Sequence, residues 1–246
     1  MQLRIASVIA GTETPAEDGI TGAMRCIILL ADGTRRAAIL KRGPVGGIAA
    51  EAFAALVLRA WGLPVPEPFL INEQTGPAFA SADVGYPNLK KRLGLDSIPD
   101  GPAKDAVYLI ALKMAVQLPT TPLAVVADEA IDNRDRNLGN ILWDGEAEAW
   151  IDHAFSLGEH PANYADRNKL CEMALVTRDH DRVMRAAVGQ ALAINAEPLV
   201  SASNVLPDAL KQKDYATHVA ERLTTLASRI LNRFPKPEDL LANANQ

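Results

Sequence analysis

Ile131-Asp132-Asn133-Arg134-Asp135-Arg136-Asn137-Leu138-Gly139-Asn140-Ile141-Leu142-Trp143-Asp144-Gly145, running on to Ala149-Trp150-Ile151-Asp152-His153-Ala154-Phe155, is the stretch on which the fold turns. Its first part is polar and rich in turn formers, so it reads as a loop. Ile141-Leu142-Trp143 reads as a short buried strand. Asp144-Gly145 signals a turn in a loop that reaches Glu148, and Ala149-Trp150-Ile151 is the return strand. A second polar cluster is thereby delivered at the far end of a hairpin.

This order brings Asp135 and Asn140, on the loop, towards Asp152, beyond the hairpin. Two carboxylates and an amide oxygen suit Mg²⁺, which takes hard oxygen ligands and keeps phosphate oxygens in its shell. Phosphoryl transfer needs such a set. Asp135 is the candidate to orient an attacking hydroxyl, with Asn140 and Asp152 as the candidate metal ligands. All three are expected to be catalytic.

The Asp-x-x-x-x-Asn spacing, with a further Asp just past a hairpin, resembles the catalytic and metal-binding segments of the protein-kinase-like superfamily. Asp-Arg-Asn-Leu-Gly-Asn-Ile-Leu followed by Ile-Asp-His departs from the His-Arg-Asp and Asp-Phe-Gly of ordinary protein kinases. It is similar to the phosphatidylinositol-kinase branch and, more closely, to the bacterial HipA-like kinases. The resemblance continues upstream through Gly62-Leu63-Pro64-Val65-Pro66-Glu67-Pro68 and covers about Lys41 to Phe155.

Composition sets outer bounds. The chain has 246 residues, 48% of them hydrophobic, enough for a sizeable core in one large domain or two lobes. A formal net charge of −5 argues against a general nucleic-acid-binding surface. Cys26 and Cys171 have no metal spacing and suggest no disulfide framework. Neither a signal peptide nor an apolar run of membrane-spanning length is visible, so a soluble cytoplasmic protein is expected.

From the N-terminus, Leu3 to Ala10, Ala23 to Ala31 and Arg35 to Lys41 read as strands of a meander that could roof a nucleotide. The polar loop from Gly11 to Gly22 lacks a Gly-x-Gly-x-x-Gly pattern. Ile48 to Trp61 reads as a helix apolar on several sides. Glu51 is its one charged residue between Ile48 and Leu58, and a carboxylate packed that way needs a cation. Lys41, closing the strand before it, is the candidate. In kinase-like folds a strand lysine contacts the phosphates and is held by a helix glutamate.

Phe69 to Ile71 and Pro77 to Ala80 read as two further strands. Phe79 to Tyr86 is the expected crossing between lobes, where the resemblance implies backbone contacts to an adenine from Phe79, Ala80 and Ser81. Asp105 to Leu118 and Pro122 to Ala130 read as helices, with Asp128 on the helix surface or bracing the loop and Asp132 as a turn residue. Arg136 is expected to brace the loop or neutralise charge. Beyond Phe155 the chain reads as helical, with Val219, Leu223, Leu226 and Ile230 in one 3.6-residue stripe, a break from Ser203 to Pro207, and a frayed tail from Pro235. His180, in a charge run, reads as a solvated helix face.

The expectation is an α+β, two-lobed protein-kinase-like fold. Residues 1–82 would form an antiparallel sheet with one helix, and residues 83–246 a mostly helical lobe with the catalytic loop. ATP and Mg²⁺ are the expected cofactors. The resemblance implies serine/threonine phosphorylation of a protein, in toxin–antitoxin or phage-related settings, with room for a regulatory protein partner. Direct nucleic-acid and membrane contacts are not expected. HipA toxins are longer, with an additional N-terminal subdomain, so their partner and DNA contacts do not carry over. A small-molecule or lipid kinase and a nucleotide-binding pseudokinase are the alternatives.

Overall fold

The computed structural model describes residues 1–16 and 22–235. The middle of the loop between the first two expected strands and the expected tail beyond Pro235 lie outside the described residues. The fold is mixed α/β.

Strands β1 (Arg4–Val8), β2 (Thr14–Pro15), β3 (Met24–Leu30), β4 (Arg35–Lys41), β5 (Pro68–Glu73) and β6 (Gly76–Ala82) form one sheet in the order β1-β5-β6-β4-β3-β2. β1 also pairs with β3, so five of the strands close into a barrel. The expected all-antiparallel sheet needs correction here, because β1 runs parallel to β5 with Arg4 opposite Phe69. Closure explains it. A strand that joins both ends of a rolled sheet must accept whatever direction the last strand has, and closing removes its exposed edge. Two-residue periodicity fills the barrel with Cys26, Ile28 and Leu30 from β3, Ala38 and Leu40 from β4, Phe69 and Ile71 from β5, and Ala78 and Ala80 from β6. The alanines keep so narrow a barrel closable.

The alternate residues Leu70 and Phe79 point out of the barrel into a second, larger core. Helix α1 (Val45–Ala60) lies there, buried at every position from Ile48 to Leu58. It starts three residues earlier than the apolar stripe suggests. Gly46 permits this start, because a Cβ there would strike the Glu159 carboxylate. The same core continues through α2 (Leu89–Arg92), α3 (Pro102–Gln117), α4 (Thr121–Ala130), α5 (Lys169–Val176), α6 (His180–Ala193), α7 (Glu197–Val205), α8 (Tyr215–Leu223) and α9 (Leu226–Leu231). The single C-terminal stripe is divided: Val219 and Leu223 belong to α8, Leu226 and Ile230 to α9. Both halves still face the core through Val219, Leu226 and Ile230, so periodicity survives the break at Thr224-Thr225.

The hairpin forms as β7 (Ile141–Trp143) and β8 (Glu148–Trp150), with Ile141 opposite Trp150. Trp150 anchors it. Its ring is fully buried, its Nε1 donates to Thr120 Oγ1 at 2.8 Å, and its backbone N donates to the Pro64 carbonyl at 2.8 Å. The hairpin is thus tied both to the start of α4 and to the segment that follows α1. No single helix among the described residues is long and apolar enough to cross a membrane.

Candidate active site

Lys41, Glu51 and Asp152 meet. Lys41 Nζ bonds Glu51 Oε1 and donates to Asp152 Oδ1 at 2.7 Å. The second Glu51 oxygen accepts from the backbone N of His153 at 2.9 Å. One buried carboxylate on α1 therefore holds both the β4 lysine and the residue after Asp152. Burial opposes the charge on Glu51, but the Lys41 ammonium and the His153 contacts outweigh it and hold the carboxyl below its ordinary range. Burial likewise pulls Lys41 down, and the charges of Glu51 and Asp152 overcome it and keep the ammonium protonated.

Asp152 has φ +66° and Asp132 φ +56°, backbone values that non-glycine residues seldom adopt. Such strain persists only where surrounding contacts over-determine it. For Asp152 those contacts are Lys41, the His153–Glu51 bond and the carbonyl of the preceding Ile151, which accepts from Arg136 Nη1 at 2.6 Å.

The loop from Asp132 to Asn140 is built around Arg136. Its guanidinium is fully buried and binds both Asp128 oxygens, Nε to Oδ2 at 3.0 Å and Nη2 to Oδ1 at 2.8 Å. It also lies 5.5 Å from the Trp150 ring centroid. Nη1 donates to the Asn140 carbonyl at 3.2 Å as well as to Ile151. Asn133 Nδ2 adds a bond to Asp128 Oδ1 at 2.8 Å, and Asn133 Oδ1 accepts from the Asp135 backbone N at 3.1 Å. Asp128 is thus buried at the end of α4 and not on its surface, and Arg136 braces with a charge that Asp128 already matches.

Asn140 Nδ2 donates to the Asp135 carbonyl at 3.2 Å. That bond commits the amide nitrogen and leaves the amide oxygen as the donor atom for a hard cation. The Asp135 carboxylate accepts from Lys169 Nζ at 2.8 Å through Oδ1. The structure therefore joins Asp152 to Lys41 and Asn140 to Asp135, and links the two groups through Arg136. Among the described residues no cluster of three or more His, Cys, Asp or Glu side chains is placed to hold a metal. A site with one carboxylate and one amide matches Mg²⁺ that takes its remaining ligands from phosphates and water.

A cavity lies beside this constellation, lined by Lys41, Glu51, Phe79, Ser81, Asp152 and His153, with Ala82, Asp83 and Val84 at one side. Phe79 and Ser81 reach its wall; Ala80 faces the barrel interior. The crossing expected from Phe79 begins instead after Ala82. β6 is paired with β4 on one edge and β5 on the other, so the backbone groups of Phe79, Ala80 and Ser81 serve the ladders and not an adenine. The cavity volume is about 50 Å³. Small-molecule sites run to roughly 300–1,000 Å³, so this cavity is smaller than most of them.

Asp132 is more than a turn residue. It bonds Arg134 at 3.0 Å and His160 at 3.2 Å, and lies 3.3 Å from Arg222 on α8. Neighbouring Glu129, buried at the end of α4, binds Arg222, Arg229 and Arg233. Sequence reading missed this anchorage, as it missed Lys169 and Asn133. The run of arginines at 222, 229 and 233 was its only trace, and nothing local says which carboxylate they serve.

No protein-family model matches the sequence, and no curated protein matches it. Solved structures do. The Helicobacter pylori proinflammatory kinase CtkA superposes with a TM-score of 0.56 at 14% identity, covering 92% of this chain and 96% of that one. HipA of Shewanella oneidensis MR-1, solved with HipB and operator DNA from a toxin–antitoxin system, superposes with a TM-score of 0.55 at 11% identity. That match covers 91% of this chain and 66% of HipA. The chain therefore shares the fold of these two structures.

Proposed function

We propose that the chain is an ATP- and Mg²⁺-dependent phosphotransferase of the cytoplasm, acting on a serine or threonine hydroxyl of a protein. In this reading the arrangement is two-lobed. Residues 1–82, the barrel with α1, cover the nucleotide, and residues 83–246 supply the transfer machinery. The observation that carries the reading is the joint hold of Lys41 by Glu51 and Asp152, next to a loop that presents Asp135 and Asn140.

Each residue then has a task. Lys41 binds phosphate oxygens and Glu51 fixes its direction. Phe79 and Ser81 contribute side chains to the wall against the nucleotide, and Ala82 to Val84 stand where the adenine edge would lie. Asn140 and Asp152 hold Mg²⁺, which when bound neutralises charge on the phosphates. Asp135 orients the acceptor hydroxyl and takes its proton late. A regulatory protein partner is suggested by the HipA neighbour, which was solved with HipB; a protein acceptor is what the resemblance to HipA-like kinases implies.

Incubation of the purified chain with γ-labelled ATP and host lysate, followed by mass spectrometry, tests the reading. Label on protein hydroxyls supports it. Label on a small molecule or lipid moves the chain to another kinase class. Nucleotide binding without transfer makes it a regulatory module, the alternative that a loop from Gly11 to Gly22 without the Gly-x-Gly-x-x-Gly pattern keeps open.

A further inference from the structure

Lys169 lies 34 positions downstream of Asp135, yet its Nζ donates to Asp135 Oδ1 at 2.8 Å. The placement is built from both sides. Lys169 opens α5, whose N-cap is the buried Asn168. Asn168 Oδ1 accepts from the Cys171 backbone N at 3.3 Å, and its Nδ2 donates to the Val125 carbonyl of α4 at 2.9 Å. Leu170 and Cys171 are buried behind it. On the other side, Asn133 and Arg136 fix the loop that carries Asp135. The backbone that carries Lys169 is thereby anchored on both sides of it. A partly exposed ion pair adds little stability, so stability gives weak reason for the arrangement.

The surroundings separate Lys169 from the nucleotide side. Lys41 and Asp152 line the small cavity described above. Lys169 lines a different one, about 490 Å³, with Asn137, Tyr108, Leu112 and Met173. Asp135 is therefore held by a lysine whose cavity Lys41 does not line.

We propose that Lys169 is a positioning residue of the transfer step, an inference that rests on the kinase reading above. Its ammonium holds Asp135 by Oδ1 and leaves Oδ2 for the acceptor hydroxyl. In the step itself the acceptor oxygen forms a bond to the terminal phosphorus. The bond from that phosphorus to the bridging oxygen breaks, and its electron pair leaves with ADP. The hydroxyl proton passes to Asp135 Oδ2, while Lys169 takes no part in the proton transfer and acts only through the carboxylate it orients.

The test uses the full chain with Mg·ATP, reading autophosphorylation and release of labelled phosphate with water as acceptor. Lys169→Met should lower kcat about 10- to 100-fold, the scale of a misplaced catalytic group, with the ATP KM within about twofold, as positioning without a binding role requires. Lys169→Arg should recover most of the rate. On an Asp135→Asn background, Lys169→Met should add almost nothing, because the pair acts as one unit. Wild-type kcat in Lys169→Met overturns the inference while leaving the kinase reading intact. So does an equal loss on the Asp135→Asn background, or a loss that Lys169→Arg does not recover. Absence of both transfer and hydrolysis in the wild-type chain overturns the kinase reading and this inference together.

Discussion

Arg136 Nη1 donates at 2.6 Å to the carbonyl of Ile151, the residue immediately before Asp152. One guanidinium thereby sets the distance between the loop that carries Asp135 and the hairpin end that carries Asp152. Its own charge is matched by Asp128, and both side chains are buried to within 1%. Breaking a buried pair leaves an uncompensated charge and typically costs about 3–5 kcal/mol. Asp128→Asn and Arg136→Met should each destabilise on this scale. The double variant should lose less than the sum, because one partner has nothing left to strand. Urea unfolding of the four proteins checks it; losses below about 1 kcal/mol would show that the pair does not hold the loop.

Lys41 and Glu51 should behave as one unit towards nucleotide. Lys41→Met removes the proposed phosphate contact, and Glu51→Gln leaves the lysine to Asp152 alone. Both should weaken Mg·ATP binding, and the pair of changes should be clearly less than additive. Calorimetry supplies the double-mutant cycle. Full additivity contradicts a shared role.

Acid should attack the same pair. The Glu51 carboxyl lies below its ordinary 4.5, so its contribution to stability is present above pH 4.5 and fades as pH falls further, towards the folded-state value. Lys41 lies above its ordinary 10.5, so its contribution is present below pH 10.5 and fades only as pH rises beyond that. The Tm difference between wild type and Glu51→Gln should therefore be steady between pH 5 and 9 and shrink below pH 4.5. A difference unchanged down to pH 3 would show that Glu51 is not held ionised by its partners.

What could be read from the sequence was local or periodic. Loop, hairpin and polar cluster follow from turn chemistry and short apolar runs, and α1 from an apolar stripe around a lone Glu51. The Lys41–Glu51 partnership was legible because a carboxylate among ten apolar neighbours has few ways to be satisfied. Barrel closure was not legible, since the paired residues of β1 and β5, such as Arg4 and Phe69, are far apart in sequence and their pairing has no local signature. The fate of Phe79 to Ser81 was misread for a related reason: a strand's last residues and a crossing's first residues have the same composition. Asp132 looked like a turn residue because it is one, with φ +56°, but its partners Arg222 and His160 come from distant segments. Lys169 gave no signal, as one lysine beside an N-cap asparagine has no distinguishing pattern.

The measurement closest to the central claim compares Asp135→Asn and Asp152→Asn with the wild-type chain, reading Mg·ATP affinity and transfer of the γ-phosphate on the same samples. If Asp135 orients and deprotonates the acceptor, Asp135→Asn should bind Mg·ATP almost normally and transfer about 10²–10⁴-fold more slowly, the usual loss for a positioned acid or base. If Asp152 is a metal ligand, Asp152→Asn should lose Mg²⁺-dependent affinity as well as rate. Wild-type transfer in Asp135→Asn, or unchanged Mg·ATP affinity in Asp152→Asn, would contradict the assignment of this cleft as a phosphotransfer site built on those two carboxylates.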